Sequence, residues 1–273
     1  MERIGLIAGS GRFPVLFAET ARRRGVEVFA VGHRGETDPE LEGAVSGIGW
    51  IYPGELDAMI QALKAAGVRR AVMVGGIAKP RLFREFRPDA RALELIARTG
   101  KLRDDLILRA VAAELESEGI AVVESTMYLQ EIVPGAGVLG ARAPTAEEWS
   151  DIRFGFRAAK VIGQYDIGQS VVVRSGAVIA VEGIEGTDAT IRRAGQLANG
   201  DIVLVKVCKP TQDTRFDLPA VGPGTVAALA QVQGRALAIE AGCTVTLDRA
   251  EMVALADAAD IAVVALDAKE VER

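Results

Sequence analysis

Short β-branched runs alternate with amphipathic stretches through the first half of the chain, and glycine marks most of the changes. Arg3–Ala8 reads as an apolar strand ending in Gly9-Ser10-Gly11, and Phe13–Arg24 then carries apolar residues at helical spacing up to Gly25. Val26–Val31 reads as the second strand, Leu56–Ala66 as a helix stopped by Gly67, and Arg70–Val74 as a third strand ending in Gly75-Gly76. Asp89–Ala97 and Leu102–Ser117 read as helices, with Gly119 as the stop before a fourth strand at Ile120–Val123. Alternation at these lengths builds a parallel sheet covered by helices, so the expected class is α/β with a Rossmann-like amino-terminal domain over residues 1–133.

Residues 134–144, rich in Pro and Gly, read as a linker. The pattern then changes to a mixed α/β domain over residues 145–273. Thr145 and Glu148 stand at capping-box spacing and open a helix to about Tyr165. Val171–Arg174 and Val178–Glu182 make a hairpin, Ala189–Leu197 a helix and Ile202–Cys208 an apolar strand. After the loop from Lys209 come a helix, a strand near Thr244–Leu247, a helix at Arg249–Ala258 and a strand at Ile261–Leu266.

Bulk properties narrow the function. A net charge of −5 offers no general attraction to nucleic acid or to an anionic membrane, so any phosphate site must be a local basic cluster. The amino terminus does not read as a signal peptide and no apolar run reaches a membrane span, which gives a cytoplasmic expectation. The two cysteines, Cys208 and Cys243, have no metal-ligand spacing and read as buried thiols. His33 is the chain's one histidine, expected on a solvated loop, so histidine-rich metal sites cannot be assembled.

Two glycine loops follow strands. Gly9-Ser10-Gly11-Arg12 could bring backbone N–H groups and a helix N-terminus to an anion, but Pro14 occupies the third glycine position of a dinucleotide fingerprint. Gly75-Gly76, with Lys79 and Arg81 beyond, could receive a diphosphate or sugar at the carboxyl edge of the sheet. Lys101 precedes Asp104 and Asp105, a carboxylate pair that helix-dipole stabilisation alone would explain. The second half is denser: Asp166 to Ser170, Glu182 to Ala189 with Thr187 and Asp188, and Lys209 to Pro219 with Asp213, Arg215 and Asp217. Carboxylates beside Lys and Arg suit a metal-bridged phosphate.

The strings Gly5 to Gly11, Tyr165 to Ser170 with Gln169, Glu185 to Ala189 and Lys209 to Pro219 resemble the LpxI-type UDP-2,3-diacylglucosamine pyrophosphatases, in the same order over essentially the whole chain. The resemblance implies a two-domain enzyme of lipid A synthesis with its ligand between the domains. It would cut UDP-2,3-diacylglucosamine to UMP and 2,3-diacylglucosamine 1-phosphate (lipid X) using Mg²⁺ or Mn²⁺. It places the essential aspartate at Asp217, with Asp213, Arg215 and Lys209 as catalytic candidates and Asp217 and Asp188 as metal ligands. Gly9, Ser10, Gly11, Arg12, Gly75, Gly76, Lys79, Lys101, Gln169, Thr187 and Asp188 are the expected substrate contacts. With no nucleophile–histidine pair available, direct attack by water is expected over a covalent intermediate. A diacylated substrate further implies transient contact with the inner membrane surface and an apolar groove drawn from Phe83, Phe86, Trp149, Phe154 and Phe156. Homodimerisation is a base-rate expectation. The rival readings are a non-catalytic UDP-sugar or lipid-binding protein and a nicotinamide- or flavin-dependent oxidoreductase.

Overall fold

The computed structural model describes residues 2–77, 86–99, 104–210 and 212–271. The chain divides into two compact units, one of Met1–Gln130 with Asp213–Asp217 and the other of Glu131–Gln212 with Leu218–Arg273.

The first unit holds a parallel sheet of β1 (Arg3–Ala8), β2 (Glu27–His33), β3 (Gly47–Ile51), β4 (Arg70–Val74) and β5 (Ala121–Val122), in the order β3-β2-β1-β4-β5. Its helices are α1 (Phe13–Arg23), α2 (Leu56–Ala65), α3 (Ala90–Thr99) and α4 (Asp104–Ser117). β1 is buried from Ile4 onward, as a central parallel strand covered on both faces must be. β3 is absent from the expected elements. Its sequence, Gly-Ile-Gly-Trp-Ile, has two glycines that weaken strand propensity, and pairing with β2 supplies what local preference lacks.

His33 corrects another expectation, since it is only 7% exposed at the end of β2. Its Nδ1 lies 2.9 Å from the carbonyl of Ala8, which can only accept, so Nδ1 carries the proton. Thr37 Oγ1 donates to the same carbonyl at 2.6 Å and accepts the His33 N–H at 2.8 Å. Burial pushes the imidazole pKa down, partly offset by the bond to Ala8.

The second unit holds a mixed sheet in the order β6-β13-β11-β9-β7-β8. Its members are β6 (Gly137–Val138), β7 (Ser170–Arg174), β8 (Ala177–Val181), β9 (Val203–Lys206), β11 (Ala236–Glu240) and β13 (Ala262–Leu266). β9, β11 and β13 run parallel, while β6 and the β7–β8 hairpin run antiparallel to their neighbours. A separate parallel pair joins β10 (Ala220–Val221) and β12 (Val245–Thr246). The helices are α5 (Ala146–Gln164), α6 (Thr187–Ala198), α7 (Pro223–Gln231), α8 (Arg249–Ala258) and α9 (Ala268–Val271). One face of the sheet packs Val172, Leu204, Leu237 and Val263 with residues of α6, α7 and α8; the other packs Val171, Val205 and Ala238 against Ile152, Phe156 and Ala159 of α5. The expected helix start at Thr145 is present as a full capping box: Thr145 Oγ1 accepts the Glu148 N–H and Glu148 Oε2 accepts the Thr145 N–H. β11, also not expected, is an alanine-rich central strand buried throughout.

Two outcomes follow from these local structures. Thr145→Ala leaves an N–H of the first turn of α5 without its side-chain acceptor, and should lower unfolding free energy by about 1 kcal/mol in urea titrations; an unchanged midpoint would contradict the cap's contribution. For His33 the folded pKa lies below the unfolded one, so its stabilisation is present above pH 6.5 and declines as pH falls below that value. His33→Asn keeps a donor near Nδ1 and does not titrate. The fall in Tm from pH 7.5 to pH 5 should therefore be smaller in this variant than in wild type, and equal slopes would refute the assignment.

Candidate active site

In the first unit the polar candidates gather at the carboxyl edge of the sheet. β1 leads to β2 on one side and β4 leads to β5 on the other, so chain direction across the sheet reverses between β1 and β4. Open parallel sheets bind ligands at such a switch point. Gly9 and Gly75 stand there back to back. The Gly9 N–H donates to Val74 O at 2.8 Å, and Ser10 donates to Gly76 O through its N–H at 2.7 Å and its hydroxyl at 2.9 Å. A Cβ on Gly9 would lie 2.4 Å from Gly76 O; one on Gly75 would lie 2.4 Å from Ser10 O, at a φ of +82°. These glycines are thus required by backbone approach, and the Gly9 and Ser10 N–H groups are already committed to carbonyls. Arg12, at the start of α1, pairs with Glu40 at 3.3 Å and Glu19 at 3.6 Å.

The segment Asp213–Asp217 belongs to this same unit. Phe216 is buried in the core cluster with Ile7, Val31, Met73 and Val122, and the Ser125 N–H, just past β5, donates to Arg215 O at 2.8 Å. Asp213 and Arg215 form a bidentate pair at 3.1 and 3.0 Å, and Arg215 also reaches Glu116 at 3.0 Å. Arg215 holds the Asp213 carboxyl below the usual carboxylate range, and Asp213 raises the guanidinium in turn. Asp217, half-buried, donates its N–H to Asp213 O at 3.0 Å. Asp213 and Arg215 therefore neutralise each other and shape the turn, leaving Asp217 as the carboxylate whose position that turn sets. Ser125, which the sequence did not single out, is 1% exposed, and its hydroxyl has no hydrogen-bond partner among the described residues.

The second unit presents its own polar set at the carboxyl ends of β9 and β11. Lys206, the last residue of β9 and only 7% exposed, donates to Thr187 Oγ1 at 2.9 Å. Thr187, first in α6, donates onward to Glu182 Oε1 at 2.7 Å, while Glu182 Oε2 accepts the Gln169 N–H at 3.2 Å. One hydroxyl thus relays between a buried ammonium and a buried carboxylate, the satisfied form such groups require. Asp188 follows Thr187 and is exposed. Lys209 Nζ pairs with Asp166 at 2.7 Å, both side chains being largely buried, and the Lys209 N–H donates to Gln212 Oε1 at 2.9 Å. Sequence reading found Gln169, Thr187 and Lys209 and placed Glu182 in the polar cluster, but missed Lys206, which lies inside an apolar strand run and resembles an ordinary strand position.

Lys79, Lys101 and Phe83 lie outside the described residues, as do the side chains of Asp104 and Asp105. Of the other aromatics expected to line a groove, Phe156 is core at 2% exposure and Trp149 and Phe154 pack against the same cluster, whereas Phe86 is exposed. The cysteines are not separate thiols: Cys208 and Cys243 are joined as a disulfide with Cα atoms 6.4 Å apart.

Among the described residues, one group of three or more potential metal-binding side chains is compact, Cys208 with Glu240 and Cys243, and it does not include Asp217 or Asp188.

Comparison with known proteins places the chain. Its residues 3–132 match the LpxI N-terminal domain and residues 135–264 the LpxI C-terminal domain. The UDP-2,3-diacylglucosamine pyrophosphatase LpxI of Caulobacter vibrioides is 35% identical over 287 residues, covering 99% of each chain. Solved structures are more distant. UDP-glucose 4-epimerase of Thermus thermophilus with NAD matches at 13% identity and a TM-score of 0.31, over 97% of this chain and 86% of that one. Glycinamide-RNase-transformylase T of Mycobacterium tuberculosis matches at 13% and 0.26, over 66% of this chain and 44% of that one, so the chain spans less than half of its length. Likeness at these scores carries no functional argument. With both domains matched in order and a relative aligned from end to end, the chain belongs to the LpxI family.

Proposed function

We propose that this protein hydrolyses the diphosphate of UDP-2,3-diacylglucosamine to UMP and 2,3-diacylglucosamine 1-phosphate by direct attack of water. The observation that carries this reading is the 35% identity to the Caulobacter vibrioides pyrophosphatase across 99% of both chains. The described site is consistent with it in charge and composition. His33 is buried with Nδ1 engaged at the Ala8 carbonyl, so the reading assigns it support of the strand end rather than proton transfer.

Asp217 takes the central role, orienting or deprotonating the attacking water. The Asp213–Arg215 pair and the buried ring of Phe216 hold the turn that presents it. Lys206 and the N-terminal turn of α6, with Thr187 and Gln169, bring positive potential and donors to a phosphate or sugar. Lys209, balanced by Asp166, anchors the start of the loop that leads to Asp217. When bound, a divalent cation held by Asp217 would neutralise charge on the phosphoryl oxygens. Among the described residues no helix is long and apolar enough to cross a membrane, so the reading has the acylated substrate met at the surface of the inner membrane, from its cytoplasmic side.

Mass spectrometry of UDP-2,3-diacylglucosamine incubated with the protein and Mg²⁺ should show UMP and the monophosphorylated lipid. Asp217→Asn should lower kcat by about 10²–10⁴-fold while keeping the wild-type Tm, the range expected for loss of a proton-transfer group. Substrate bound without hydrolysis under both Mg²⁺ and Mn²⁺ would replace this reading with that of a binding protein. Stripping divalent cations with a chelator should abolish turnover, and added Mg²⁺ should restore it; full activity in the chelator would remove the cation from the scheme.

A further inference from the structure

The Lys209–Pro219 loop begins at a residue held in an unusual way. Cys208 follows β9, and its backbone is clamped by side chains: its N–H donates to Glu240 Oε2 at 2.8 Å, and its carbonyl accepts from Lys160 Nζ at 2.9 Å. Lys160 reaches both oxygens of Glu240 at 2.7 and 2.6 Å, closing a ring of α5, β11 and Cys208, two positions past β9. On this ring sits the disulfide to Cys243, in the turn between β11 and β12. Glu240 and the two sulfurs are close enough to hold a cation, but the ammonium already occupies both carboxylate oxygens, so the chemistry left to the cluster is that of sulfur with sulfur.

We propose that Cys208 and Cys243 are a reversible thiol–disulfide exchange site that sets the rigidity of the Lys209–Pro219 loop, and through it the turnover of the enzyme. The proposal rests on the reading that this loop carries the reaction. The partner is a small-molecule disulfide, RSSR. Cys243 is half-buried and Cys208 is 6% exposed, so Cys243 is the sulfur that meets it. Its thiolate attacks RSSR, one RS⁻ leaves and a mixed disulfide forms. The Cys208 thiolate then attacks the Cys243 sulfur, the internal S–S bond forms and the second RS⁻ leaves. Both cysteine protons end on the two RS⁻ groups. Two cysteine thiols are thereby oxidised by two electrons while RSSR is reduced to two RSH.

Reduction leaves the Lys160–Glu240 clamp in place, so the unit stays folded. It frees the link across 35 residues between the loop root and the β11–β12 turn. The bond restricts the unfolded chain and so raises Tm; its reduction should lower Tm by about 10 °C. The looser loop should turn over at least about 3-fold more slowly, because small displacements of reacting groups are costly.

The test compares full-length protein equilibrated with oxidised or reduced glutathione. Alkylation followed by mass spectrometry should find both cysteines protected in the first and both labelled in the second. Trypsin cleavage after Arg215, whose neighbour Phe216 is buried, should be several-fold faster in the reduced form. Cys243→Ser should match reduced wild type in cleavage rate and turnover under both conditions. Cysteines that stay labelled after the oxidised treatment would overturn the proposal, as would equal cleavage and turnover in the two states. If neither form hydrolyses the substrate, the hydrolase reading fails and the cleavage ratio alone decides for or against the switch.

Discussion

The ends of β1 and β4 meet through their backbones, and the layout of the first unit depends on that contact. Gly9 and Ser10 give their N–H groups to Val74 and Gly76, at a separation that no side chain on Gly9 or Gly75 would permit. Those two N–H groups are therefore spent on backbone carbonyls. They close the switch point of the sheet, and His33 and Thr37 hold the Ala8 carbonyl just before it. A conformational requirement and a chemical one can produce the same short motif, and at Gly9 and Gly75 the conformational one is present.

The second unit solves the matching problem with side chains. At the carboxyl ends of β9 and β11 the backbone leaves the sheet, and its polar groups need partners away from the ladder. The Lys160–Glu240 pair supplies them for Cys208, and Lys206, Thr187 and Glu182 form a satisfied chain nearby. Such networks cost desolvation and return geometric definition only when every member is bonded. Charges are also paired locally: Asp213 with Arg215, Asp166 with Lys209, Glu148 with Arg142.

Much of this was legible in the sequence because it is local. Alternation of strand and helix revealed the α/β class, and the Thr145–Glu148 spacing revealed a capping box that both hydrogen bonds realise. The family resemblance also located the loop carrying Asp217. What could not be read is non-local. β3 is a strand because β2 lies beside it, despite two glycines; β11 is alanine-rich and takes its identity from β9 and β13. His33 reads as a loop residue until Ala8, 25 positions away, supplies its acceptor. Cys208 and Cys243 have no telling spacing, and only the adjacency of β9 and β11 brings them together.

The chain enters the first unit twice, and the second visit is five residues long, Asp213–Asp217. Phe216, one position before the candidate catalytic carboxylate, fills part of the core built from Ile7, Val31, Met73 and Val122. A nascent chain released residue by residue from the ribosome therefore cannot complete its first hydrophobic core when residue 130 emerges; that core waits for a phenylalanine synthesised more than eighty positions later. Full packing of that core requires Phe216 to be in place, and Asp217 is the next residue along the chain.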